Sequence, residues 1–273
     1  MKTNRKSALQ PIGVFDSGLG GLTIVREMRR ILPAESIIYF GDLARLPYGT
    51  KSKEQIQTYS VQNTLFLIKH KVKAVVIACN SSASAAYQFI KNHFNLPVID
   101  VIEPAVQNAV ESTRSGRVGV IATRATVESG AYEKGLARKK SGIKVFQQAC
   151  PLFVSLVEEG WLSGSVTRDI AKIYLKPLLT KKIDTLILGC THYPMLRESI
   201  QAVVGNKIRL VDSISPTVHR LQQTLERKEL IRPAASHKGD LRIFVSDRPG
   251  NFIRLGEKFL GEKLDRVELV RQK

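Results

Sequence analysis

The sequence predicts an α/β fold made of two similar doubly wound α/β domains, with the active site in the cleft between them. Short apolar segments alternate with helical patterns along most of the 273 residues. That alternation is the βαβ order of a parallel sheet. The apolar segments lack regular polar positions, as expected for strands that are covered on both faces. A similar cysteine-containing segment occurs in each half of the chain, which predicts a repeated unit.

Ten short apolar segments predict the strands of this fold. Each is short and rich in Val, Ile, Leu or Phe, and most are separated by a helical pattern. The proline-containing stretch at 230–240 predicts a loop. The predicted strands are 12–15, 36–40, 74–78, 98–101, 117–122, 144–148, 185–188, 208–211, 241–245 and 266–269.

Helices are predicted between these strands from the spacing of apolar residues. The segment LTIVREMRRIL at 22–32 carries its apolar residues on one helical face. Ser52 and Gln55 have the spacing of a capping box, which predicts the start of the next helix. The alternating order of strands and helices therefore supports a parallel sheet.

Two segments carry a cysteine in the same local setting. In VVIACNSSAS at 75–84 and in TLILGCTHYP at 185–194, an apolar strand leads into a cysteine and then into small polar residues. The two cysteines, Cys79 and Cys190, lie in different halves of the chain. We expect both thiols to lie where a strand ends and a helix begins.

The surroundings of the two cysteines repeat as well. Strand 12–15 ends at Asp16 and strand 117–122 ends at Thr123. The interval from Asp16 to Cys79 is nearly the same as the interval from Thr123 to Cys190. Ligands of open α/β sheets bind at the carboxyl ends of the strands. Two such units that face one another would place one thiol on each wall of a cleft.

The composition excludes several classes of protein. No apolar run is long enough to span a bilayer, and no apolar segment of a secretory signal follows the basic start. Three cysteines in a chain of this length do not form a disulfide framework, and their sparse use fits a reducing cytosol. There is no CxxC pair and the five histidines are scattered, so we expect no metal site.

The net charge of +18 has two interpretations. A large positive charge is typical of proteins that bind nucleic acid or anionic substrates. Here the basic residues are dispersed along helix faces and chain ends, without a basic tract that contains aromatic residues. We therefore predict a solvated basic surface and no nucleic-acid partner. A basic nucleic-acid-binding module is the alternative.

Thiols at helix starts suit proton transfer. Backbone N–H groups and the helix dipole stabilise a thiolate there and can lower a cysteine pKa from ~8.5 to roughly 3.5–7.5. One thiolate would suggest a covalent nucleophile. Two thiols on opposite walls suggest that one removes a proton from carbon and the other returns a proton to the opposite face. Such a reaction inverts a stereocentre.

The polar residues beside the strand ends suit a small zwitterion. In DSGLGG at 16–21, Asp16 can accept from an ammonium group and Ser17 adds a hydroxyl. This stretch matches neither the dinucleotide fingerprint nor the P-loop pattern. Asn80, Ser81 and Thr191 supply donors for a carboxylate, together with backbone N–H groups at helix starts.

Six motifs stand out along the chain. They are FDSGLGGLTIV (15–25), GDLARLPYG (41–49), ACNSSAS (78–84), LVEEG (156–160), GCTHYP (189–194) and the tail FVSDRPGNFIRLGEKFLGEKLDRVELV (244–270). Together they resemble the glutamate branch of the cofactor-independent Asp/Glu racemase superfamily. The resemblance covers nearly the whole chain.

The resemblance implies a role for each matching residue. Cys79 would be the base for D-glutamate, with Asp16 assisting, and Cys190 the base for L-glutamate, with Glu158 and His192 assisting. This chain has Ser81 where the family usually has threonine, so we expect a small effect on affinity. The implied substrate-binding residues are Asp16, Ser17, Tyr48, Gly49, Asn80, Ser81, Thr191 and His192.

The resemblance also implies the organisation and setting of the protein. One domain would comprise residues 1–100 and 212–273, and the other residues 101–211. The expected activity is interconversion of L- and D-glutamate without cofactor or metal, supplying D-glutamate for peptidoglycan biosynthesis. We expect a cytoplasmic homodimer with no membrane contact.

Other interpretations of single residues and of the activity stay open. Cys150 is interpreted as an inert buried cysteine, and Glu159 as the solvated neighbour of Glu158. Tyr48 and Asp42 could serve only to pack and shape their loop. A Cys-dependent isomerase or lyase of the same superfamily, acting on maleate or aspartate, is the alternative enzyme.

Overall fold

The computed structural model describes residues 6–233, 238–247, 250–264 and 266–271. The chain forms two compact units. The first comprises Met1–Val101 and Ile214–Lys273, and the second comprises Ile102–Ser213.

In the described part of the chain, ten strands are present, and the bounds of each agree with the prediction to within a single position at either end. The predicted α/β class and parallel sheets are confirmed. The strands are β1 (Ile12–Asp16), β2 (Ile37–Gly41), β3 (Ala74–Ile77), β4 (Val98–Asp100), β5 (Arg117–Ala122), β6 (Lys144–Ala149), β7 (Thr185–Gly189), β8 (Arg209–Val211), β9 (Leu241–Val245) and β10 (Val267–Leu269).

The helices follow the predicted alternation. They are α1 (Leu22–Ile31), α2 (Lys53–Lys69), α3 (Asn80–His93), α4 (Ile102–Ser112), α5 (Arg124–Glu128), α6 (Ala131–Lys139), α7 (Leu152–Glu158), α8 (Ser165–Leu179), α9 (Arg197–Val204), α10 (Ile214–Arg227) and α11 (Gly250–Leu260). Short 3₁₀ helices span Leu43–Arg45, Tyr48–Thr50 and Tyr193–Leu196.

The local signals act as predicted. On α1, Leu22, Val25 and Met28 are buried, which is the apolar face expected from the spacing. The Ser52 side chain caps α2 by accepting the backbone N–H of Gln55 at 3.3 Å. Of the predicted loop at 230–240, residues 234–237 lie outside the described residues, and the remainder contains no helix or strand.

The first unit is built on a parallel sheet with the strand order β10-β9-β2-β1-β3-β4. Every residue of the central strands β1, β2 and β3 is buried. Helix α1 packs with α10 and α11, while α2 packs with α3. The apolar strands thus form the core between two groups of helices, as the lack of polar alternation predicts.

The second unit is built on a parallel sheet with the strand order β6-β5-β7-β8. Its order matches the arrangement β2-β1-β3-β4 inside the first sheet. In both units the first strand lies between the second and the third. The order in which strands are added across the sheet therefore reverses between β1 and β3 and again between β5 and β7, and the carboxyl ends of these parallel strands are the topological switch points.

Candidate active site

Asp16, the last residue of β1, and Ser17, which follows it, lie at the switch point of the first sheet. Asp16 is fully buried, and its Oδ2 accepts the backbone N–H of Gly21 at 3.0 Å. A Cβ at Gly21 would lie 2.9 Å from the Cβ of Asp16, so glycine is required for this tight turn. The glycine-rich motif therefore serves to bury and orient a carboxylate.

Cys79 lies on the neighbouring strand end, at the start of helix α3. It is 5% exposed, and its thiol donates to Ser17 Oγ at 3.6 Å. Burial, and then the negative charge of Asp16, raises the pKa of Cys79 to about 12. The Ser82 N–H and the Ser17 hydroxyl act in the opposite direction but are outweighed. The predicted fall in the pKa of the Cys79 thiol is therefore wrong.

Asn80 and Ser81 are the first two residues of α3, and both are buried. The N–H groups in the first turn of a helix have no partner within the helix, and they carry the positive end of its dipole. The start of α3 is therefore suited to a carboxylate, and binding of one by Asn80 and Ser81 stays a prediction.

Tyr48 and Gly49 are buried in a 3₁₀ helix of the same unit. The Tyr48 hydroxyl donates to Asp42 Oδ2 and accepts from Asn63 Nδ2 at 3.1 Å. Burial, reinforced by the Asp42 charge, raises the pKa of Tyr48 and keeps its phenol protonated. The phenol is therefore engaged in a buried network.

Asp42 organises this loop through several partners. Its Oδ1 accepts a hydrogen bond from Ser246 Oγ at 2.8 Å. Its Oδ2 accepts from Arg45 Nη1 at 3.4 Å and from the Tyr48 hydroxyl. The interpretation of Asp42 as a loop-shaping residue agrees with these contacts. Sequence reasoning missed Asn63 and Ser246, although Ser246 lies inside the matching tail motif.

Cys190 follows β7 at the switch point of the second sheet and is 7% exposed. Its Sγ lies 3.8 Å from His192 Nδ1, and His192 Nε2 lies 2.7 Å from Glu158 Oε1. Burial acts to lower the pKa of His192, but the hydrogen bonds with Cys190 and Glu158 outweigh it and raise the pKa well above its ordinary value. The imidazole therefore lies between a sulfur and a carboxylate, and both contacts favour its protonated form.

The residues next to Cys190, His192 and Glu158 in the sequence differ in solvent exposure. Thr191 is buried, with its Oγ1 3.4 Å from His192 Nδ1. Glu158, the last residue of α7, is half-buried, whereas Glu159 is exposed. The predicted exposure of Glu159 is thus confirmed, and the role of Glu158 stays a prediction.

Cys150 is fully buried after β6, and its thiol donates to the backbone oxygen of Gln148 at 3.6 Å. Burial, with a smaller contribution from Cys190, raises the pKa of this thiol. The predicted burial of Cys150 is confirmed, and its lack of a chemical role stays a prediction. Sequence reasoning missed Tyr193, whose hydroxyl donates to the Cys150 backbone oxygen at 2.8 Å.

Each unit thus gathers its own part of the predicted site. The first unit brings Asp16 and Ser17 to Cys79, and the second brings Glu158 and His192 to Cys190. Among the residues that the structure describes, no group of three or more His, Cys, Asp and Glu side chains could hold a metal ion. Within the same residues, no helix is long and apolar enough to cross a membrane.

Comparison with known sequences gives relatives that match nearly the whole chain. The sequence profile of the Asp/Glu/Hydantoin racemase family matches residues 12–221. The glutamate racemase of Geobacter metallireducens is 46% identical over 259 residues, which are 95% of this chain and 96% of the relative.

Solved structures of similar proteins have the same fold. The glutamate racemase of Francisella tularensis in complex with D-glutamate superposes with a TM-score of 0.90 at 42% identity, covering 96% of this chain and 98% of that chain. The glutamate racemase of Thermus thermophilus in complex with β-chloro-D-alanine superposes with a TM-score of 0.87 at 40% identity, covering 97% and 98%.

Proposed function

Because this chain belongs to the Asp/Glu/Hydantoin racemase family, we propose that it interconverts L- and D-glutamate. The observation that carries the proposal is the buried cysteine at the switch point of each unit, each beside its own acid–base partners. Similarity to the glutamate racemases described above supports glutamate as the substrate.

In the proposed reaction, Cys79 and Cys190 act on opposite faces of the α-carbon. From L-glutamate, the Cys190 thiolate takes the α-proton, so an S–H bond forms as the C–H bond breaks. The electron pair is delocalised into the carboxylate. The Cys79 thiol then delivers its proton to the other face and becomes a thiolate, and D-glutamate proceeds by the reverse steps.

Substrate charge provides a reason for Cys79 to become basic. The substrate ammonium is proposed to bind Asp16, whose charge raises the pKa of Cys79 in the free protein. A nearby positive charge favours the thiolate. Binding of the correct zwitterion would therefore activate a thiol that stays protonated otherwise.

The hydrogen-bond donors to the substrate carboxylate are proposed to provide most of the lowering of the activation barrier. An amino acid α-proton is a very weak acid, so the carbanion-like transition state needs stabilisation at its carboxylate. Asn80 and Ser81 at the start of α3 and Thr191 beside Cys190 are the proposed donors. Tyr48 and Gly49 are proposed to contribute backbone groups, since the Tyr48 phenol is bonded to Asp42.

Circular dichroism of glutamate solutions tests the activity directly. The purified full chain should bring the signal of either enantiomer to zero, and L-aspartate at the same concentration should change far more slowly, because a misplaced carboxylate loses fixed donors. Protein treated with chelator and free of visible chromophore should retain the full rate. An unchanged signal from both enantiomers of glutamate, or equal kcat/KM for aspartate, would contradict the proposal.

The cellular role is proposed on the same family membership. We infer that the enzyme is a cytoplasmic homodimer that supplies D-glutamate for peptidoglycan. Expression in a bacterium that requires external D-glutamate should restore growth without that supplement, and a Cys79→Ser variant should not. Light scattering of the purified chain should give twice the 30.4 kDa mass of one chain.

A further inference from the structure

Tyr193 immediately follows His192 and is fully buried. Its hydroxyl donates to the Cys150 backbone oxygen at 2.8 Å, and that oxygen also accepts the N–H of Phe153 at 3.1 Å in the first turn of α7. Burial, together with the charge of Cys190, raises the pKa of Tyr193 well above its ordinary value and keeps the phenol a donor. Tyr193 is thus bonded to the start of α7.

His192 binds the other end of the same helix. Glu158, its partner at 2.7 Å, is the last residue of α7. A helix of seven residues rises roughly 10 Å. The consecutive residues His192 and Tyr193 therefore bond to opposite ends of α7. Residues 190–193 are called the Cys190 loop here. Both ends of α7 are therefore bonded to this loop, which fixes the position of the helix relative to it.

Aromatic packing also orients Tyr193 against the start of α7. The Phe153 ring meets the Tyr193 ring edge-on, with centroids 5.3 Å apart and planes at 90°. Phe153 also meets Tyr174 at 5.3 Å and 89°. Edge-to-face pairs prefer this geometry, so they favour one orientation of Tyr193 against α7.

We propose that Tyr193 is a positioning residue for the Cys190 half of the reaction, because its hydroxyl holds α7 where Glu158 reaches His192. This inference rests on the proposed racemase function. Misplacing a supporting group by about 1 Å can reduce a rate by roughly 100-fold. Removal of the Tyr193 hydroxyl alone, with the packing of the ring unchanged, should reduce the rate by a smaller factor.

The test uses Tyr193→Phe, which removes the hydroxyl and keeps the ring. Because the enantiomers of glutamate have equal free energy, kcat/KM for racemisation must fall equally in both directions, and we expect about 10-fold. The two halves are separated with the L- and D-isomers of 3-chloroglutamate. One base removes the α-proton, chloride leaves with its electron pair, and the resulting enamine hydrolyses to 2-oxoglutarate and ammonium.

Elimination from the L-isomer depends on Cys190 in the proposed mechanism and should fall about 10-fold in Tyr193→Phe. Elimination from the D-isomer depends on Cys79 and should stay at the wild-type rate, which also measures the amount of folded enzyme. The primary deuterium isotope effect on kcat/KM should rise for α-deuterated L-glutamate and fall for α-deuterated D-glutamate, since the step at Cys190 becomes slower.

Tyr174→Phe is the matched control. The Tyr174 hydroxyl accepts the Leu152 N–H at 3.3 Å, so it also bonds the start of α7, but Tyr174 belongs to α8 and not to the Cys190 loop. Its L-isomer elimination should match the wild type. Equal effects of Tyr193→Phe on both isomers, no effect on either, or the same loss in Tyr174→Phe would overturn the inference. A wild-type chain that neither racemises glutamate nor eliminates chloride would instead refute the proposed function.

Discussion

The surroundings of Cys79 and Cys190 differ in charge although the two thiols occupy the same topological position. Each follows the third strand of its unit at a switch point. Cys79 has a carboxylate, Asp16, as its main charged neighbour, whereas Cys190 lies 3.8 Å from the imidazole of His192. One repeated backbone arrangement therefore supports two different electrostatic settings.

The difference suits a reaction that needs an acid and a base at the same time. Burial and Asp16 hold Cys79 as a thiol before substrate binds. The hydrogen bonds of His192 with Cys190 and Glu158 raise the pKa of the imidazole, which favours a positive charge 3.8 Å from the Cys190 sulfur. The proposed inversion of L-glutamate needs one sulfur that accepts a proton and one thiol that donates a proton.

Replacing either cysteine should have the largest effect. Serine keeps the shape, but its hydroxyl is far too weak an acid to form the base, so Cys79→Ser and Cys190→Ser should each reduce racemisation by more than about 1,000-fold. Cys190→Ser should still eliminate chloride from 3-chloro-D-glutamate, and Cys79→Ser from the L-isomer. If both variants process the same isomer, or if either racemises at the wild-type rate, the two-base assignment is wrong.

Glu158→Gln should weaken only the Cys190 half. The amide keeps the size of the side chain but removes the charge that favours the imidazolium, so L-isomer elimination should fall about 10- to 100-fold while D-isomer elimination stays unchanged. Glu159→Gln, at the exposed neighbouring position, is the matched control and should behave as wild type. A comparable loss in both variants would remove Glu158 from the site.

Asp16→Asn should change the reactivity of Cys79 in the free protein. Loss of the carboxylate charge lowers the pKa of this thiol, so alkylation by iodoacetamide at pH 8 should be about 3- to 10-fold faster at Cys79, measured by mass spectrometry of its peptide. Wild-type protein alkylated in parallel under the same conditions is the reference for this ratio. An unchanged alkylation ratio would mean that Asp16 does not set the charge environment of Cys79.

The smallest effect is a dependence of stability on pH through His192. Its pKa is raised in the folded protein, so its contribution to the free energy of unfolding is fully present below the unfolded value of about 6.5 and is lost as pH rises through the folded value. The Tm difference between wild type and His192→Asn should therefore be largest near pH 6 and shrink at alkaline pH. A Tm difference that increases with pH would show that the pKa of His192 is not raised by folding.

The amino-acid sequence by itself determined the strands, the parallel sheets and the position of both cysteines. These features depend on short-range signals: brief apolar runs, a cap at Ser52, and a cysteine directly after a strand. In a parallel sheet such local patterns are sufficient, because burial of both faces requires uninterrupted apolar strands. The family motifs added the partners of each thiol, which no periodicity reveals.

Only the tertiary structure decided how the two sites differ electrostatically. The sequence predicts a lowered pKa for Cys79 from its place at a helix start, yet burial and the carboxylate of Asp16, from a distant part of the chain, reverse the direction. The contacts of Asn63 and Ser246 around Tyr48 and Asp42, and the bond from Tyr193 to Cys150, likewise join residues that are not neighbours in sequence. The local sequence does not specify these contacts, because desolvation and charge interactions depend on which side chains the fold brings together.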